Sequence, residues 1–245
     1  MIILFTDFGL QGPYVGQLKS VLYQNNPDSK IIDLMHDAPM FDIKHSACLL
    51  NSLIQYFPVG SVFCCVVDPG VGSDRNAIVV KANDQYFVGP DNGLFEYLVR
   101  SDPDFTAYYI VWQPEVLSKT FHGRDIFAPI TAQIDAGDFD SLEQINQNDL
   151  KRFSWPNDVF EIIYIDHFCN LMTGIRESSI SAETELVFNG QNISYVETYS
   201  NMPDGQLCWY INSNQLVEIG LNKMNAGLVH TAQIGDPLEI IYYKK

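Results

Sequence analysis

Along its first 137 residues the chain alternates short apolar runs with longer stretches in which apolar side chains return every three or four positions. Residues 1–6 (MIILFT), 31–35 (IIDLM) and 61–67 (SVFCCVV) read as strands. Runs this short and this rich in Ile, Val and Phe suit a buried strand better than a helix, and the third lies between Gly60 and Pro69-Gly70. Tyr14, Leu18, Val21 and Leu22 trace one face of a helix over 14–25, and Ile43, Ala47, Leu50, Ile54 and Phe57 trace a second helical face. Residues 78–81 and 86–88 flank a short polar turn and predict a hairpin, while 94–99 and 126–134 predict short helices. Strands alternating with helices predict an α/β first domain, residues 1–140, built on a largely parallel sheet.

After Gly137 the pattern changes. Residues 138–157 are polar, with Gln, Asn and Asp crowded ahead of Ser154-Trp155-Pro156, and 141–157 reads as a linker. Beyond it the helical period fades. Residues 160–165, 184–188, 193–197, 207–211, 216–219 and 238–243 are strand-like runs broken by Asn-Gly, Pro-Asp-Gly and Gly-Asp-Pro. Residues 158–245 therefore predict a smaller, all-β, barrel-like domain.

Composition narrows the function classes. At 245 residues, 47% hydrophobic, the chain can fill one large core or two smaller ones. Acidic residues outnumber basic ones 30 to 14, for a formal charge of -16, so the basic footprint of a nucleic-acid partner is missing. The start MIILFTDFG has no basic n-region, and no apolar run approaches the roughly 18 residues of a membrane span, so a cytoplasmic protein without a membrane partner is expected. Five cysteines form no CxxC pair, and adjacent Cys64 and Cys65 would point to opposite faces of a strand; the histidines show no HExxH spacing. No metal site is expected.

The candidate chemistry lies in two glycine-punctuated turns, VVDPGVGSDR (66–75) and KTFHGRDIFAP (119–129), which supply an acid, Asp68, a guanidinium, Arg75, and a base, His122. Asp68 would sit at the carboxyl end of a strand, the edge where open α/β sheets bind ligands. Each residue also has a plainer reading: Asp68 before Pro-Gly suits a turn, Arg75 a solvated loop charge, His122 a helix cap. Composition alone does not choose between them. Asp7, in FTDFG after the first strand, is placed to accept two hydrogen bonds from a ribose diol. The chain has neither GxGxxG nor GxxxxGK[ST], which favours a nucleoside-type ligand over a dinucleotide or a P-loop phosphate. Gly89-Pro90-Asp91-Asn92-Gly93 reads as a tight turn.

Taken together and in order, TDFG, DPGVGSDR, GPDNG and TFHGRDIFAP resemble the S-adenosyl-L-methionine (SAM) hydroxide adenosyltransferase family, relatives of the SAM-dependent chlorinases and fluorinase. YIDHFCNLMTGI and YSNMPDGQ…INSNQLVEI resemble that family's C-terminal domain more loosely. The resemblance implies hydrolysis of SAM at the ribose C5′ to adenosine and methionine, with SAM as substrate and no separate cofactor. It implies that Asp68, Arg75 and His122 handle the water, that Asp7 holds the ribose hydroxyls, that Asn170 belongs to the nucleoside pocket and that Ser213 contacts the methionine carboxylate. Which of the three water-handling residues is the base stays open. It further implies a homotrimer whose sites lie between one subunit's first domain and a neighbour's second.

The chain also departs from the family. Gly12 stands where an acid is usual, Cys169 where glycine is usual and Gly174 where asparagine is usual, and residues 222–227 (NKMNAG) match the adenine-side segment poorly. These positions bear on the methionine and adenine ends of the ligand. The alternatives to hydrolysis are a SAM-dependent halogenase and a non-catalytic SAM- or nucleoside-binding module. The halogenating relatives carry other residues at the positions of Asp68 and His122, and a buried carboxylate repels a halide.

Overall fold

A computed structural model of the chain describes residues 1–201, 204–221 and 232–241. The chain divides into two compact units, Met1–Ser154 and Trp155–Lys245. In the first, seven strands form one sheet: β1 (Ile2–Thr6), β2 (Ile31–Met35), β3 (Val62–Val66), β4 (Ala77–Ala82), β5 (Gln85–Pro90), β6 (Thr106–Ile110) and β7 (Leu142–Ile145). Four helices accompany them: α1 (Tyr14–Asn25), α2 (Ile43–Leu53), α3 (Glu96–Ser101) and α4 (Ala128–Asp135).

The strand order is β2-β1-β3-β5-β4-β6-β7. β1 pairs in parallel with β2 and β3, and β3 with β5; the β5-β4, β4-β6 and β6-β7 pairs are antiparallel. The expected largely parallel sheet is thus a mixed one, parallel only across β2-β1-β3-β5. The reversal begins at the β4–β5 hairpin, where Asn83 and Asp84 take φ of 51° and 56°, the left-handed pair that a two-residue turn between twisted strands requires. β6 and β7 continue the antiparallel half. β7 lies inside the polar segment read as a linker, because a four-residue edge strand with two exposed side chains carries almost no apolar signal.

Both faces of β1 and β3 are covered, which is why these two strands read as continuous apolar runs, whereas β2 at the sheet edge keeps Ile32 and Asp33 exposed. Ile2, Leu4, Val62, Cys64 and Val66 pack with Leu18 and Leu22 of α1 and Ile130 and Ile134 of α4. Ile3, Phe5, Phe63, Cys65 and Phe87 alternate with them and are equally buried, with Phe63 stacked on Phe87 at 4.8 Å.

The described residues of the second unit are all β apart from short 3-10 turns: β8 (Val159–Ile165), β9 (Leu171–Arg176), β10 (Glu185–Phe188), β11 (Gln191–Tyr195), β12 (Leu207–Ile211), β13 (Leu216–Leu221) and β14 (Glu239–Ile241). Their order is β14-β10-β11-β12-β13-β9-β8, with β11 and β12 parallel and the other pairs antiparallel. The two ends of this sheet meet. Gly235 N–H donates to Ile162 O (2.8 Å), Ile162 N–H to Asp236 O (2.9 Å) and Leu238 N–H to Phe160 O (2.8 Å), so the approach to β14 bonds to β8 and the sheet is barrel-like, as expected. Leu171, Phe188, Ile193, Trp209 and Ile219 fill the interior.

Candidate active site

The edge formed by the carboxyl ends of β1 and β3 carries the acidic groups. Thr6 at the end of β1 lies in register with Val66 at the end of β3, so Asp7 and Asp68 follow neighbouring parallel strands onto one rim. Their charges are close enough to interact. Burial, reinforced by Asp68, pushes the Asp7 carboxyl above its ordinary value, while the Phe41 amide donating to Asp7 Oδ2 (3.1 Å) opposes the shift.

Asp68 opens a turn held by its own backbone. Val71 N–H donates to Asp68 O (3.2 Å), and Ser73 donates through its amide (3.1 Å) and its hydroxyl (2.7 Å) to Gly70 O. This folding brings Arg75 back onto Asp68: Nε donates to both carboxylate oxygens at 2.9 Å, and Nη2 donates to Oδ2. Asp68 and Arg75 side chains are 4% and 9% exposed, so the pair is largely screened from water. The guanidinium also lies over the Phe127 ring, 5.2 Å from its centroid.

The second turn meets the first. Gly72 has φ of 81°, and a Cβ there would collide with the Lys119 carbonyl oxygen, so the two turns approach backbone to backbone only because residue 72 is glycine. His122 immediately precedes a π-helical turn, Gly123–Phe127, that runs directly into α4; such turns concentrate at functional sites. Arg75 Nη2 lies 3.1 Å from His122 Nδ1. A guanidinium has only donors, so Nδ1 is the acceptor and a neutral His122 carries its proton on Nε2. Burial first, and the Arg75 charge second, hold the imidazole below its ordinary value of about 6.5; Asp68 and Asp125 pull the other way without reversing it. Asp68 and Arg75, seven residues apart, and His122, roughly fifty residues further on, thus form one hydrogen-bonded row.

Asn170 and Ser213 lie in the second unit. Asn170 donates through its backbone N–H (2.8 Å) and Nδ2 (3.0 Å) to Asp166, closing the loop between β8 and β9. Asp166, Ser213, Asn212 and Glu218 line one open cleft of about 490 Å³, which brings the two predicted residues to the same region of the barrel. Glu218 was not anticipated from sequence. It is buried, accepts from Tyr210 Oη and from Asn212 Nδ2 (2.8 Å), and burial raises its carboxyl above the ordinary range. Its alternating position in β13 reads only as core.

The departures acquire a backbone meaning. Gly12 has φ of 121° and Cys169 φ of 69°, so the first sits where an acidic side chain would be strained, and the second bears a left-handed conformation that glycine adopts freely. Gly174 lies within β9, paired with Val159. Residues 222–227 lie outside the described residues. Among the described residues no three His, Cys, Asp or Glu side chains group as metal ligands, and no helix is long and apolar enough to cross a membrane.

Comparison with known proteins gives a consistent picture. Residues 2–146 match the SAM hydroxide adenosyltransferase N-terminal domain and residues 160–239 the corresponding C-terminal domain. The chain is 33% identical to the (R)-S-adenosyl-L-methionine hydrolase of Methanocaldococcus jannaschii over 99% of its length and 96% of that protein's. A crystal structure of an uncharacterized conserved protein from Thermotoga maritima superimposes with a TM-score of 0.88 at 30% identity, covering 98% of this chain and 100% of that one. A fluorinase from an Actinoplanes species is more distant, 23% identical over 91% of each chain.

Proposed function

The chain belongs to the SAM hydroxide adenosyltransferase family, and from that premise we propose that it hydrolyses S-adenosyl-L-methionine at the ribose C5′ to adenosine and L-methionine. The observation that carries the reading is the buried Asp68–Arg75–His122 row, at the sheet edge that also bears Asp7.

The chemistry needs little beyond an oriented water. The sulfonium makes C5′ electrophilic and lets methionine leave as a neutral thioether, so neither an acid for departure nor a cofactor is called on. Water oxygen forms the new bond to C5′, the C5′–S bond breaks with its electron pair passing to sulfur, and one proton leaves the water. The geometry favours Asp68 as the group that takes or holds that proton. Arg75 occupies His122 Nδ1, which leaves the imidazole a donor through Nε2, whereas Asp68 Oδ1 accepts, among the described residues, from Arg75 Nε alone and keeps acceptor capacity. Arg75 fixes the carboxylate from behind and offsets developing negative charge. His122 orients the water by donating to it.

The same reading assigns the ribose diol to Asp7, the nucleoside pocket to Asn170 and the methionine carboxylate to Ser213. It includes a homotrimer in which a neighbour's barrel completes each site. Leu10, Met40 and Phe41, 79%, 69% and 68% exposed around Asp7, suit a rim that a second subunit covers. The curated relative's name specifies the (R) sulfonium epimer, and we extend that preference to this chain.

The test is chromatography of the purified protein with each sulfonium epimer, with and without chloride. Equimolar adenosine and methionine, independent of chloride and faster from the (R) epimer, is the expected result. A 5′-halogenated nucleoside whose yield follows halide would favour the halogenase instead, and binding without turnover the binding module.

A further inference from the structure

The GPDNG segment at the end of β5 supplies no group to the row described above, yet it holds both ends of the segment that carries Asp68 and Arg75. We propose that Asn92 and Asp91 are positioning residues, a clamp that fixes the Asp68–Arg75 geometry from outside the site; this rests on the catalytic reading of Asp68.

At one end, Asn92 Nδ2 donates to Val67 O at 2.9 Å, gripping the residue immediately before Asp68. The amide is itself oriented, because Asn92 Oδ1 accepts from Leu94 N–H at 3.2 Å. At the other end, Asp91 N–H donates to Asn76 O at 3.0 Å, and the buried Asp91 carboxylate accepts from the Asn76 side chain and from the Lys151 backbone. Asn76 immediately follows Arg75, and its carbonyl also accepts from Arg75 Nη1 at 3.4 Å. The platform under the clamp is rigid: a Cβ at Gly89 would collide with the Cys65 carbonyl oxygen and meet the Phe95 ring at 2.9 Å, so this turn lies directly against β3.

The segment needs such holding. Pro69 and residues 71–74 are exposed, so burial does little to fix the turn, and Gly70 and Gly72 make its backbone adaptable. Between two anchored ends the chain has few ways to place Arg75 against Asp68. Released at either end, it would sample many, and a misplacement of about 1 Å at a reacting group can cost roughly a hundredfold in rate. Ground-state binding, which the reading assigns to Asp7 and the barrel, would be largely spared.

The experiment is steady-state kinetics of SAM hydrolysis for Asn92→Ala, Asn76→Ala and Asp68→Asn, with thermal unfolding of each. Asn76 is exposed, so its variant tests the clamp even where Asn92→Ala does not fold. We expect Asn92→Ala and Asn76→Ala to lower kcat about tenfold or more with KM within about twofold, and Asp68→Asn to be all but inactive, its kcat lowered by about 10²–10⁴-fold. Folded clamp variants with kcat within about twofold of the parent, beside an inactive Asp68→Asn, would overturn the clamp and leave the catalytic reading standing. A parallel loss of kcat and substrate affinity with a lowered unfolding temperature would reduce the turn to ordinary structure. A fully active Asp68→Asn would remove the catalytic reading and the clamp's purpose together.

Discussion

At the scale of single residues, the tautomer of His122 separates roles that the sequence left open. Because Nδ1 accepts from Arg75, the proposed reaction makes the imidazole a donor and Asp68 the acceptor. Asp68→Asn keeps the shape and removes the charge, so kcat should fall by about 10²–10⁴-fold while calorimetry shows SAM still bound. Unchanged turnover of bound substrate in that variant would move the acceptor elsewhere. The pH dependence follows from the same hydrogen bond. Protonating Nδ1 would set a second cation against Arg75, and burial together with Arg75 already holds His122 below about 6.5. His122 is therefore neutral above that lowered value, and activity should be lost as pH falls through it. The acid limb of kcat/KM should lie below pH 6.5 and disappear in His122→Asn; a limb above 6.5 would contradict the assignment. Asp68, Arg75 and His122 were legible as residue types between glycines, whereas the direction of the Arg75–His122 bond was not, since it depends on how two distant turns face each other.

At the scale of elements, glycine and one buried carboxylate decide how turns and helices join. Gly72→Ala would strain a φ of 81° and force the first turn away from Lys119. A kcat at least tenfold lower, together with a lowered unfolding temperature from strain of about 1–3 kcal/mol, should follow; a fully active variant would show that the turns tolerate separation. Glu96, on α3, ties the end of the first unit to its core. Its 2%-exposed side chain accepts from Arg100 Nε (2.7 Å), from Arg152 Nε and Nη2 (both 3.1 Å) and from Phe153 N–H (3.0 Å). Burial alone would raise its carboxyl, but these donors outweigh it and hold the value below the ordinary range. A lowered folded value stabilises above the unfolded value, about 4.3, and that stability is lost as pH falls through the folded one. Glu96→Ala should cost about 3 kcal/mol near neutral pH, read as a lower unfolding temperature, and the penalty should shrink in acid. A penalty independent of pH would show that packing rather than charge makes the difference. α3 and the hairpin before it were foreseen from periodicity and turn residues, but not β6 or β7: β6 (TAYYI) is a five-residue run with one fully buried side chain, and β7 (LEQI) is half polar like the loops around it.

At the scale of the whole molecule, the Asp68–Arg75–His122 row belongs to the first unit and Asn170 and Ser213 to the second, so the proposed trimer is open to direct measurement. Light scattering of the active protein should give three times the 27.7 kDa chain, and mixing Asp68→Asn subunits with Ser213→Ala subunits should restore some activity if sites are shared between neighbours. A fully active monomer would remove the shared site. The sequence by itself determined the α/β start, the β-rich end and the motifs, because hydrophobic period, turn residues and spacing are local properties that survive in one dimension. It also determined that Asp7 and Asp68 each follow a strand, since an apolar run stops just before each; that the two strands are neighbours came from the structure. Only the tertiary structure decided the rest: that the sheet turns antiparallel at β4, that the barrel closes through residues 235–238, that Glu218 faces a cleft and that Asn92 and Asp91 bond to Val67 and Asn76 at the two ends of the Asp68–Arg75 segment. Each depends on which segments distant in the chain come to share hydrogen bonds, and pairing between remote segments leaves no mark on the periodicity of either.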